Sequence, residues 1–252
     1  MRKKQKPWQK LLILLVIFFI ISVIGLFGFY LYVQLKTYAP LEEPLALVKE
    51  NPDLEVKQEN NLIVIKPKTR DPNLPAIIFY PGGLVNPEAY LYKMAQLSFC
   101  LETEIYLVKA PFNAAIFGIN AAAKVIAAYQ LEEVWVGGHS LGGIAAARFT
   151  ANQQEQISGL FLFGAYSDQD LSNFQGPVIS IMGLNDQIIN RENYEAAKNN
   201  LPPQAVIVEK AGLNHSAFGN YGLQKDDGQS FLSDQEVLAL LCETLKANLK
   251  PH

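Results

Sequence analysis

The sequence predicts an α/β fold: a doubly wound, mostly parallel sheet with helices on both faces, preceded by one transmembrane helix. Three observations predict it. Beyond Asn60, short continuous apolar runs alternate with helix-length segments. Such runs suit parallel strands buried on both faces, whereas half-exposed antiparallel strands alternate apolar and polar residues. Half of the 252 residues are hydrophobic, enough for one sizeable core. A single long apolar run stands apart near the N-terminus.

The elements follow in chain order. Residues 1–10 form a basic segment carrying Arg2, Lys3, Lys4, Lys6 and Lys10. Residues 11–33 are apolar apart from Ser22, Gly25 and Gly28, and at roughly 1.5 Å per residue they span about 35 Å, enough for a bilayer. A cleaved signal peptide has an apolar core of only about 7–15 residues, so an uncleaved signal-anchor is expected. Only Lys36 and Lys49 follow the run closely, and the positive-inside rule then keeps the N-terminus cytoplasmic and the domain extracytoplasmic. Residues 34–44 read as a linker and 45–252 as one domain. Within it, strands are predicted over 62–66, 76–80, 105–108, 134–137, 159–163, 178–182 and 205–208. Helices are predicted over 87–99, 114–128, 141–151, 191–199 and 234–247. The stretch 164–177 is too short for a large helical lid.

Composition excludes several functions. With 21 basic against 24 acidic residues and its basic block confined to the N-terminus, the chain offers no nucleic-acid surface. Two cysteines and three histidines show no metal-ligand spacing, so neither a metal nor another cofactor is expected. Cys100 closes the predicted helix over 87–99 and Cys242 lies inside the last one; two separately buried thiols are expected, with a disulfide as the alternative.

Chemistry concentrates at Gly138-His139-Ser140-Leu141-Gly142, between the run 134–137 and an alanine-rich helix. This is the G-x-S-x-G pattern of a nucleophile elbow, a tight strand-to-helix turn that raises a serine hydroxyl above the sheet. Glycines flank the serine because side chains there would meet the neighbouring strand and helix. The amide of Leu141, at the helix N-terminus, points to where an oxyanion would form. His139, beside Ser140, reads as packing or hydrogen-bonding support.

A nucleophilic serine needs a base downstream in the order Ser, Asp/Glu, His. Only His215 and His252 qualify, and His252 is the terminal residue, which leaves His215, just past the last predicted strand. Asp186, after the strand over 178–182, is the preferred acid to orient the imidazole; Asp168, after the preceding strand, competes for the role. The second oxyanion donor is expected from Tyr80-Pro81-Gly82-Gly83-Leu84, with Gly83 preferred and Gly82 or Leu84 as alternatives. Tyr90, Phe112 and Phe218, with Phe117 and Tyr221, are candidate substrate-facing aromatics.

Five stretches carry a family resemblance: Tyr80 to Gly83, Asn86-Pro87-Glu88-Ala89-Tyr90, Lys109-Ala110-Pro111-Phe112-Asn113, Gly137 to Gly143, and Asn214-His215-Ser216-Ala217-Phe218-Gly219. Together they resemble the alpha/beta hydrolase superfamily, and within it the dienelactone-hydrolase-like alpha/beta hydrolase family 5. The resemblance covers about residues 41–249. It implies the fold and the Ser140, Asp186, His215 set. The expected activity is a membrane-anchored serine hydrolase acting on a small ester or other acyl substrate through an acyl-enzyme. Two alternatives remain: transfer of the acyl group to another acceptor, and a non-catalytic, membrane-tethered binding module. Oligomeric state is not legible.

Overall fold

The computed structural model describes residues 7–249. Arg2, Lys3, Lys4, Lys6 and the terminal His252 lie outside the described residues. The chain divides into two compact units after Thr37.

The first unit is one helix, α1 (Pro7–Lys36), long and apolar enough to cross a membrane. Its large side chains, Phe18, Phe19 and Leu26 among them, are exposed. Intrahelical hydrogen bonds satisfy its backbone, so the apolar surface can be solvated by lipid without other elements.

The second unit opens with α2 (Glu42–Lys49), which falls across the expected linker 34–44. Eight strands follow: β1 (Leu54–Gln58), β2 (Leu62–Pro67), β3 (Ala76–Tyr80), β4 (Ile105–Val108), β5 (Val134–His139), β6 (Gly159–Phe163), β7 (Val178–Gly183) and β8 (Val206–Lys210). They form one sheet in the order β1-β2-β4-β3-β5-β6-β7-β8. The pairs β1/β2 and β2/β4 are antiparallel and every other pair is parallel. β3 to β7 are apolar almost throughout because both faces are covered. On one face, Ile77, Phe79, Phe161 and Ile181 pack with residues of α3 (Leu91–Leu101) and α7 (Asp234–Asn248). On the other, Ile78, Val136 and Leu162 pack with α4 (Ala121–Tyr129) and α5 (Leu141–Asn152). α6 (Arg191–Ala197) lies between β7 and β8. No helix interrupts 164–177.

The structure corrects the expectation of separate thiols. Cys100 of α3 and Cys242 of α7 form a disulfide, their Cα atoms 6.2 Å apart. The two helices are neighbours on one face of the sheet, a proximity that spacing along the chain could not reveal.

Candidate active site

Parallel strands β3, β5, β6 and β7 all end at one edge of the sheet, and open α/β sheets build their sites beyond that edge. Ser140 follows β5 there with φ 53° and ψ −124°, a conformation a serine adopts only where the surroundings impose it. Its amide donates to the Phe163 carbonyl of β6 at 3.0 Å, tying the turn to the neighbouring strand. A side chain at Gly138 would collide with the backbone of Gly142, and one at Gly142 with the Tyr80 and Pro81 carbonyls. The glycines are what allow strand, turn and helix to come so close.

The expected base and acid meet. His215 Nδ1 and Asp186 Oδ2 are 2.7 Å apart, with both side chains buried. The other carboxylate oxygen, Asp186 Oδ1, accepts the amides of Ile188 and Ile189, each at 2.9 Å, which fixes the acid's orientation. Among the described residues His215 Nε2 is buried and has no hydrogen-bond partner, Ser140 Oγ included. In unliganded sites the hydrogen bond between a nucleophile and its base is often long and tightens only when substrate is bound. Asp168 is occupied elsewhere: Arg148 grips it from Nε and Nη2, and this ion pair holds its carboxyl below the ordinary carboxylate range.

The loop after β3 separates its three candidate donors. The Gly82 amide donates to Tyr90 Oη at 3.1 Å and the Leu84 amide to the Asn113 carbonyl at 2.7 Å. Among the described residues, no hydrogen bond occupies the Gly83 amide. A Cβ on Gly83 would stand 3.0 Å from Leu141 Cδ2, so the loop packs closely against the Leu141 side chain.

Two expected substrate-facing aromatics are placed otherwise. Tyr90 and Phe218 are fully buried. Tyr90 packs on Phe79 and bonds His139, while Phe218 stacks on Phe163 with ring centroids 5.5 Å apart. Both lie within the core; the aromatic pattern of a loop does not reveal which side faces solvent. Phe112 is 45% exposed and meets Phe117 edge-on. Tyr221 is also buried.

Asp227 was not legible as a functional residue. It lies in the polar stretch 222–233, yet its carboxylate accepts the amides of His215 and Ser216 and the Ser216 hydroxyl, at 3.3, 2.8 and 2.7 Å. It thus shapes the turn that carries the imidazole. A hollow of about 600 Å³ adjoins the outer side of this turn, bordered by Glu42, Asn214, Ser216 and Asp234, but neither Ser140 nor Gly83 lines it. Among the described residues, no group of three or more His, Cys, Asp or Glu side chains could hold a metal ion.

With fold and geometry established, similarity identifies the class. The model of the alpha/beta hydrolase family matches residues 76–239, and the chain belongs to that family. A search of curated proteins finds no match. Similar solved structures include carboxyl esterase 2 from the fungus Tuber melanosporum, at 12% identity and a TM-score of 0.63, covering 85% of this chain and 92% of that one. A monoacylglycerol lipase from Paleococcus ferrophilus aligns at 12% identity and a TM-score of 0.59, over 77% of this chain and 99% of its own. Naproxen esterase from Bacillus subtilis aligns at 11% identity and 0.53, over 74% and 90%. At such identities the likeness is one of fold.

Proposed function

We propose that this alpha/beta hydrolase is a membrane-anchored serine hydrolase of the carboxylesterase type, working through Ser140, His215 and Asp186. The observation that carries the reading is the buried Asp186–His215 pair, with Nε2 unengaged, at the sheet edge where the strained Ser140 turn stands. His215 Nε2 takes the proton as Ser140 Oγ attacks the ester carbonyl, and the amides of Gly83 and Leu141 receive the oxyanion. Asp186 holds Nδ1–H and stabilises the imidazolium. The proton then passes to the departing alcohol, and water, deprotonated by the same nitrogen, releases the acid from the acyl-enzyme.

The substrate class is a small ester. Esterase and lipase neighbours favour it, as does the exposed Phe112–Phe117 pair, whose loop meets the oxyanion loop through the Asn113 carbonyl. Two features support an extracytoplasmic domain tethered by α1: the basic residues ahead of the helix, and a disulfide, which persists in oxidising compartments. The full chain should fractionate with membranes, and protease added outside intact cells should digest the domain; a protected domain would reverse this topology.

The activity test is hydrolysis of a short-chain ester by the full chain. Ser140→Ala and His215→Ala should each reduce turnover by roughly 10³-fold or more with the fold retained. Near-normal turnover in either variant would remove its residue from the mechanism.

A further inference from the structure

Beside the three proposed catalytic side chains lies a buried polar pair that the mechanism does not use. Tyr90 is fully buried, and its hydroxyl lies 2.7 Å from His139 Nδ1. His139, also buried, ends β5 immediately before Ser140, and its ring centre stands 4.4 Å from that of His215. The same hydroxyl accepts the Gly82 amide. A Cβ on Gly82 would fall 2.7 Å from Tyr90 Oη and 2.9 Å from His139 Nδ1, so the oxyanion loop rests directly on this hydrogen bond. Three parts of the site thus converge on one contact: the loop with the Gly83 amide, the turn with Ser140, and the imidazole of His215.

Proton counting favours one direction for the bond. Tyr90 Oη has one hydrogen and already accepts the Gly82 amide, and His139 Nδ1 stands 2.7 Å away. With the hydroxyl donating to it, Nδ1 carries no proton, and the neutral ring carries its hydrogen on Nε2.

We propose that Tyr90 and His139 are a positioning pair: the tyrosine hydroxyl locks the His139 tautomer and seats the Gly82–Gly83 loop, so that the oxyanion donor and a neutral neighbour for His215 are set together. The proposal rests on the serine-hydrolase reading above. Neutrality matters because His215 becomes cationic when it takes the serine proton, and a charged ring beside it would oppose that step. Burial, and then the proximity of His215, hold His139 well below the ordinary histidine range. Burial raises the Tyr90 hydroxyl far above the ordinary phenol range, keeping its hydrogen in place. The titratable groups facing the pair are Tyr221, beside Tyr90, and His215 with Asp186 and Asp227 behind it.

The test uses the full chain in detergent micelles. With ¹⁵N-labelled histidine, the three histidines should include one, assigned to His139 by substitution, whose Nδ1 is an unprotonated acceptor at neutral pH and remains so as the pH falls through the range where a free imidazole charges. Tyr90→Phe should lower kcat about tenfold, a fraction of what losing an oxyanion donor costs, with KM within about twofold. His139→Asn, which keeps an acceptor near the Nδ1 position, should retain more activity than His139→Leu. A protonated Nδ1, an unchanged kcat in Tyr90→Phe, or equal losses in the two His139 variants would overturn the proposal. Should Tyr90→Phe fail to fold, the tautomer measurement on the unmutated protein decides alone. Ser140→Ala separates the two readings: if it is inactive while Tyr90→Phe is normal, only the positioning pair falls, whereas an active Ser140→Ala removes the reading beneath it.

Discussion

At the scale of single residues, the choice between Asp186 and Asp168 shows what order along the chain can and cannot decide. Both follow strands upstream of His215, and the sequence favoured Asp186 with Asp168 as its competitor. The structure gives Asp186 the imidazole and gives Asp168 to Arg148, an exposed ion pair of a kind that contributes at most about 1 kcal/mol. Asp186→Asn should therefore reduce kcat by up to about 10⁴-fold by permitting the wrong imidazole tautomer. Asp168→Asn should leave turnover within about twofold. Steady-state kinetics on both variants checks this, and the reverse ranking would move the acid to the earlier strand. The positions of Ser140, Gly83 and His215 beyond strand ends were legible because glycine spacing and strand boundaries leave marks in sequence. Tyr90, Phe218 and Asp227 were not: whether an aromatic ring points to cleft or core, and whether an aspartate in a polar loop folds back onto a backbone, depends on three-dimensional contacts that no local pattern records.

At the scale of elements, the central strands were readable because burial on both faces writes a continuous apolar run. β1 was missed for the opposite reason. Its residues Leu54-Glu55-Val56-Lys57-Gln58 lie at the sheet edge, half exposed, and are too polar to stand out from a loop. α2 was hidden by Pro44, which suggests a connector, yet proline is tolerated in a first turn whose amides have no intrahelical partner. The Cys100–Cys242 bond joins α3 and α7, residues 142 apart in sequence, across the helices that cover one face. Closing so long a loop restricts the unfolded chain, and a native disulfide typically contributes about 2–4 kcal/mol. Alkylation under denaturing, non-reducing conditions should find no free thiol, and reduction should expose both and lower the melting temperature. Two thiols alkylated without reductant would show that the pair is not bonded.

At the scale of the whole molecule, the chain combines an apolar helix with an alpha/beta hydrolase domain. The parallel strands bring residues far apart in sequence to one sheet edge. That convergence is why the fold class and the strand-to-helix turn at Ser140 could be read from sequence, while the contacts around that turn had to be seen. The domain's beginning was the least legible boundary: the expected linker over 34–44 contains the end of α1 and the start of α2, and the contacts divide after Thr37. Ser140, as proposed, is an activated nucleophile, and a fluorophosphonate probe reads that property because it reacts covalently with such serines. Treating the folded full chain, digesting it and mapping the adduct by mass spectrometry should place the label on Ser140, with none on Ser140→Ala or on heat-denatured protein. An unlabelled native chain, or an adduct on another serine that persists in Ser140→Ala, would contradict it.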